Sequence, residues 1–180
     1  MRSVVERRLA PVGERRLESI RVRVSSPRAL VFVPPLIGGD AAQQVRNFRR
    51  LIRMGYDVVS FSYTGHGRST GRFFHAAAIQ DTTVMLRIAA EESRRDGLPM
   101  AGIACCYAAI PLICSNSRME TPLQKLVLIN AVFELSARAA LSSFLRYYHE
   151  IHGRRRPLMP FREVFRRYLD FMFPNVRKTR

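Results

Sequence analysis

The chain has 180 residues, 47% hydrophobic and 24% charged, a composition that fits one core-bearing globular domain and excludes a low-complexity disordered chain. Its formal net charge is +16, and every basic residue except Lys125 and Lys178 is arginine, so the chain either drifts toward arginine or meets an acidic partner: nucleic acid, anionic lipid or an acidic carrier protein. No apolar run reaches the ~18 residues of a membrane span, the start carries no secretory signal, and Cys105, Cys106 and Cys114 make neither a disulfide framework nor a metal site, so a cytoplasmic protein without metal or cofactor is expected.

Taken in chain order, strands alternate with helices. Leu17 to Val24 reads as a strand, with Leu17, Ile20, Val22 and Val24 set against Arg21 and Arg23. Ala29 to Val33 is a continuous apolar run stopped by Pro34-Pro35, the pattern of a strand buried on both faces. Ala41 to Met54 has Val45, Phe48, Leu51 and Ile52 at helical spacing and ends at Gly55. Asp57 to Phe61 is the next strand, followed by a glycine-rich loop over 62–72. A helix is predicted over Asp81 to Glu92, a strand over Pro99 to Ala104, a helix over Tyr107 to Ser115 and a buried strand over Lys125 to Asn130. Leu135 to Tyr148 is an amphipathic helix. The alternation defines an α/β fold: a mostly parallel sheet with helices on both faces. In such sheets reactive groups collect beyond the carboxyl ends of the strands.

One of those ends carries a nucleophile. Ala104-Cys105-Cys106-Tyr107-Ala108 has the small-x-nucleophile-x-small spacing of a nucleophile elbow, usually written G-x-S-x-G. Small residues flank it because the strand turns into a helix too tightly for larger ones. A thiol at the start of a helix suits nucleophilic acyl transfer. The competing reading is a small cysteine packed at a strand–helix junction. Cys105 should turn away from the site, and Cys114 should lie in the core.

Ser62-Tyr-Thr-Gly-His-Gly-Arg-Ser-Thr-Gly71 is the most specific stretch. With its Gly65-His-Gly-Arg-Ser69 turn and the elbow, the chain resembles the α/β-hydrolases over roughly residues 17–148, and within them the acyl-carrier-protein thioesterases (acyltransferases) of bacterial luminescence systems, whose elbow also lacks the glycines and has serine in place of Cys106. The resemblance implies several roles. Ser62 stands where the family often has Asp, and Asp81 matches an Asp that opens the following helix. Pro34-Pro35-Leu36 occupies the place of the family's His-Gly-x, so the backbone N–H groups of Leu36 and Tyr107 would hold an oxyanion. His66 reads as a loop-packing residue.

The family's acid and histidine follow the nucleophile, after two more strands beyond Asn130. Residues 131–180 read instead as helices, so the resemblance implies a truncated α/β-hydrolase fold in a single domain over 1–180, with 149–180 as the start of a cap. His149, His152, Glu134 and Glu150 are candidate substitute bases, none at a family position. In the tail, Phe161, Val164, Phe165, Tyr168, Leu169 and Met172 form an apolar side with Arg162, Arg166 and Arg167 largely opposite. This is a cap helix, or peripheral membrane contact through 161–172; nucleic acid ranks last, since no nucleic-acid motif accompanies it. The strand 125–130 should form a sheet edge open to oligomerisation. Two functions follow. One is an acyl hydrolase or acyltransferase with a cysteine nucleophile acting on a small acyl substrate, carried by an acidic carrier protein. The other is a non-catalytic hydrolase-like remnant or binding module whose basic surface meets an acidic partner.

Overall fold

The computed structural model describes residues 3–132 and, beyond them, Ser142 alone. The predicted helix 135–148, the bases Glu134, His149, Glu150 and His152, and the tail 149–180 with its 161–172 segment lie outside the described residues. The chain divides into two compact units, Met1–Val132 and Phe133–Arg180.

The first unit is built on a six-stranded sheet. Its strands are β1 (Ser3–Val12), β2 (Arg15–Val24), β3 (Leu30–Phe32), β4 (Asp57–Phe61), β5 (Met100–Cys105) and β6 (Lys125–Ile129), in the order β1-β2-β4-β3-β5-β6. β3 to β6 pair in parallel, as the alternating pattern requires; β1 and β2 form an antiparallel hairpin that joins the sheet through β2 and β4. The hairpin loop is Gly13-Glu14, between the paired Val12 and Arg15. Only Gly13 of the two has a positive φ, +58°, as a type II′ turn needs at its first central residue. β1 was not expected from the sequence. Val4, Val5 and Leu9 are exposed along it, so no buried face imposes a period on its residues.

The period of two sorts side chains onto the two faces of the sheet. Ile20, Val22, Val31, Val33 and Val58 form one core layer, covered by α1 (Ala41–Asn47) and α2 (Arg49–Arg53) through Ala41, Val45, Phe48, Leu51 and Ile52. On the other layer Phe32 stacks on Phe61 at 5.9 Å, and Phe61 meets the Tyr63 ring edge-on at 5.0 Å. α3 (His75–Arg95) and α4 (Ala109–Asn116) pack against each other and on β3 and β5 respectively.

Several expectations change. The single helix over 41–54 is two short helices, because Phe48 leaves helical geometry at φ −99°, ψ 17°. The break keeps Val45, Phe48, Leu51 and Ile52 all directed at the sheet. α3 begins at His75, so Asp81 does not open the helix but lies within it; nothing between His75 and Asp81 breaks a helix, and three alanines favour one. The helix after the elbow starts as a 3-10 turn, Cys106–Ala108, before α4. Cys114 is half-buried rather than in the core, since α4 turns Pro111, Leu112 and Ser115 inward. β6 is a sheet edge, as expected, but it is not the buried strand its apolar run suggested: none of its residues is buried, and Val127 and Ile129 are exposed because no neighbour among the described residues covers that edge.

Candidate active site at the carboxyl edge of the sheet

Cys106 follows β5 directly and is exposed. Its φ is +52°, and it shares with Asn130, at +47°, the distinction of being a non-glycine residue in the left-handed region among the described residues. Asparagine visits that region readily; cysteine does not, so Cys106 holds local strain of ~1–2 kcal/mol. Cys105 before it is extended, at φ −115° and ψ 139°. The chain therefore reverses direction at one residue, and that residue carries the thiol. Small neighbours permit the turn: Ala104, Ala108 and Ala109 are fully buried beneath it. The Cys106 carbonyl accepts from Val132 N at 3.2 Å, which ties the elbow to the segment after β6. Cys105 is half-buried, and burial pushes its thiol above the ordinary value, followed by the charge of Cys106. Of the two adjacent thiols, Cys106 is thus the accessible one.

The loop after β3 lies beside the elbow because β3 and β5 are neighbours. Leu36 and Cys106 each lie four residues past the Phe32–Gly102 pair. The Leu36 carbonyl accepts from Gly39 N at 3.0 Å, closing a turn that carries the chain to the Asp40 N-cap of α1. Tyr107 N–H belongs to the first turn of a helix, where backbone donors have no acceptor within the helix.

His66 holds this loop in place. It is 1% exposed, and Nε2 accepts from Gly38 N at 3.2 Å while Nδ1, the protonated nitrogen in that arrangement, donates to Thr64 O at 3.2 Å. The ring packs edge-on against Phe73 at 4.9 Å. The expected loop-packing role is what these contacts describe, and they reach from the glycine-rich loop to the Leu36 loop. Burial lowers the pKa of His66, against smaller opposing effects of Thr64 O and Asp81. Because its folded value lies below the unfolded one, the unfolded chain takes up this proton first as pH falls. The stability linked to His66 is intact above the unfolded value of about 6.5 and declines below it, by at most about 1.4 kcal/mol per pH unit. Unfolding midpoints of the parent and of His66→Gln at pH 7.5 and 5.5 should therefore show a steeper decline in the parent.

The glycine-rich loop is built around a carboxylate that the sequence alone did not reveal. Ser62 donates to Glu18 Oε2 at 3.0 Å and accepts from Ala41 N at 3.0 Å; the same Glu18 oxygen accepts from Arg68 N at 3.0 Å. Glu18, from β2, is 5% exposed and is the shared acceptor of this loop. Gly67 fits only as glycine: its φ is +53°, and a Cβ there would stand 2.5 Å from Ser62 Oγ and 2.6 Å from Glu18 Oε2. Asp81 is fully buried, accepting from Thr64 N at 2.8 Å and facing Arg15 Nη1 at 3.3 Å. Burial raises its pKa, opposed by those partners. Asp81 thus fixes the loop from within α3.

A further residue enters that sequence reasoning passed over. His75, exposed at the start of α3, has Nδ1 3.1 Å from the hydroxyl of Tyr107, the residue after Cys106. Burial pushes the Tyr107 phenol up to about 12, with a smaller push from Asp81, so the hydroxyl stays protonated and shares a hydrogen bond with the imidazole. Histidine 32 positions away from the elbow carries no local signal in the sequence; only the packing of α3 on the elbow brings the pair together. No helix among the described residues is long and apolar enough to cross a membrane. No cluster among them has the donors for a metal ion.

No protein-family model and no curated protein matches the chain. Solved structures do. An alpha-beta serine hydrolase homologue from Coxiella burnetii is similar at a TM-score of 0.56 and 19% identity, over 68% of this chain and 61% of that one. A soluble variant of monoglyceride lipase from Saccharomyces cerevisiae, in complex with a substrate analog, reaches a TM-score of 0.64 at 15% identity, over 82% and 52%. The thioesterase domain from the curacin biosynthetic pathway gives 0.54 at 18%, over 95% and 63%. The strand order and these likenesses establish an α/β-hydrolase fold, and the chain spans between 52% and 63% of the lengths of these three neighbours.

Proposed function

We propose that the chain is an acyl hydrolase or acyltransferase in which Cys106 is the nucleophile and the N–H groups of Leu36 and Tyr107 hold the oxyanion. The observation that carries this reading is the exposed thiol on a strained, left-handed residue at a strand-to-helix turn. Strain of this kind persists where the surrounding structure enforces it, and it clusters at reactive residues. Neighbours named as a thioesterase domain and a lipase lend support for acyl chemistry. The likeness of the elbow to the luminescence acyl-carrier-protein thioesterases favours a thioester donor, on a small acyl group borne by a carrier. The Cys106 thiolate attacks the carbonyl carbon, the oxyanion forms between two N–H donors, and the donor's C–S bond breaks to release a thiolate, which takes up from solvent the proton that Cys106 gave up on ionising. Acyl-Cys106 then passes its acyl group to water or to another acceptor, and Cys106 is restored.

The test is intact mass after incubation with a short-chain acyl thioester. A mass gain of one acyl group that maps to Cys106, not to Cys105 or Cys114, supports the reading. The time course of that mass gain and of its loss then compares acylation with release, and so shows whether acyl-Cys106 turns over. No acylation at any pH between 6 and 9 favours instead a binding module on the same fold.

A further inference from the structure

We infer that the arginine face of α1 and α2 is a docking surface for an acidic helical segment of a partner protein. Arg46, Arg49, Arg50 and Arg53 are all exposed and, with Asn47 and Met54, line one concavity of about 680 Å³. No carboxylate of the described residues pairs with any of the four, and between Asp40 and Asp57 the sequence has no acid at all. In the sheet, by contrast, Arg8, Arg15, Arg21 and Arg23 each meet a carboxylate; Arg16 meets none among the described residues, but it stands apart from any such cluster. Four like charges gathered on ~10 Å of helix repel one another, and an external anion relieves that repulsion.

The chemistry narrows the partner. The apolar side of these helices, Val45, Phe48, Leu51 and Ile52, is spent on the core, which leaves only Met54 exposed and nothing to insert into a bilayer. No exposed aromatic stands among the arginines to stack on bases; Phe48 packs on the core, and Tyr56 lies under Arg28. A duplex would bind such a face through phosphates alone, and the four guanidiniums have no base-reading partner beside them. Guanidinium forks match carboxylates bidentately, and a few turns of a glutamate- or aspartate-rich helix fit this length. The face is distinct from the acyl site. α1 leaves the carboxyl edge at Asp40, and α2 ends at Arg53, after which Gly55 delivers the chain to the amino end of β4. The docking surface therefore does not depend on Cys106.

The test uses the full chain and fluorescence anisotropy with three probes: a glutamate-rich helical peptide, a DNA duplex, and vesicles containing phosphatidylglycerol. One variant combines Arg46→Gln, Arg49→Gln, Arg50→Gln and Arg53→Gln. A control combines Arg68→Gln, Arg72→Gln, Arg87→Gln and Arg118→Gln, exposed positions that remove the same charge elsewhere. Peptide affinity should fall at least about tenfold in the first and by less than about twofold in the control, with a shallower salt dependence in the first. Hydrogen exchange on the unaltered protein should show the peptide protecting residues 41–54, which tests the site without any substitution. Equal losses in both variants, protection elsewhere, no peptide binding at low salt, or tighter binding of duplex or vesicles through the same arginines would each overturn the inference.

Discussion

Replacing Arg21 by alanine is expected to lower unfolding stability by about 3–5 kcal/mol, read as a shift in denaturant midpoint at unchanged slope. Arg21 is 3% exposed in the middle of β2 and holds three acids at once. Its Nη2 donates to Asp57 at 2.6 Å and to Asp96 at 2.7 Å, and Nη1 donates to Glu92 at 3.0 Å. Asp57 is fully buried at the start of β4 and also accepts from Val24 N at 2.8 Å. Without the guanidinium, Asp57 remains as an uncompensated buried charge, while Glu92 keeps Arg8 and Asp96 keeps Arg23; the stranded Asp57, more than the lost attraction, sets the size of the effect. Arg21→Lys should recover only part of it, because one ammonium cannot satisfy three carboxylates in a planar fork. Arg23→Ala is the comparison: its pair with Asp96 is partly exposed, so a loss within about 1 kcal/mol is expected. Equal losses at Arg21 and Arg23 would show that the network is not what holds β2 to β4 and α3.

What could be read from the sequence was what burial dictates. β3 and β4 are buried along their whole length, and β3's apolar residues, with Val58, Val59 and Phe61 of β4, made both visible without a structure. The mostly parallel sheet followed from the alternation of strands with helices, and β3 to β6 do pair in parallel. β1 was invisible because it is exposed on both faces and owes its place to pairing with β2. The start of α3 was missed because Phe74, its N-cap, makes no side-chain cap. At the site, the position of Cys106 was legible through the small residues around it, but its left-handed backbone was not. The partners Glu18–Ser62 and His75–Tyr107 are 44 and 32 residues apart in sequence, and neither pair shows a local pattern. Long-range side-chain pairing is what a single sequence conveys least, and here it holds the loops around the elbow.

The final expectation separates strain from chemistry at one residue. Cys106→Ala and Cys106→Gly should both abolish acylation by a thioester, since each removes the thiol. Their stabilities should differ. Alanine retains a Cβ at φ +52°, so Cys106→Ala leaves the backbone strain in place and, at an exposed position, should change stability by less than about 0.5 kcal/mol. Glycine adopts this φ freely. Relief of ~1–2 kcal/mol of strain, less the ~0.5–1 kcal/mol entropic penalty of glycine, gives a net gain of about 0.5–1 kcal/mol. A more stable, unreactive glycine variant is the signature of a fold that keeps a strained residue for its thiol. If Cys106→Gly is destabilised as much as a core substitution, the elbow is merely packed. If acylation survives either substitution, another group is the nucleophile.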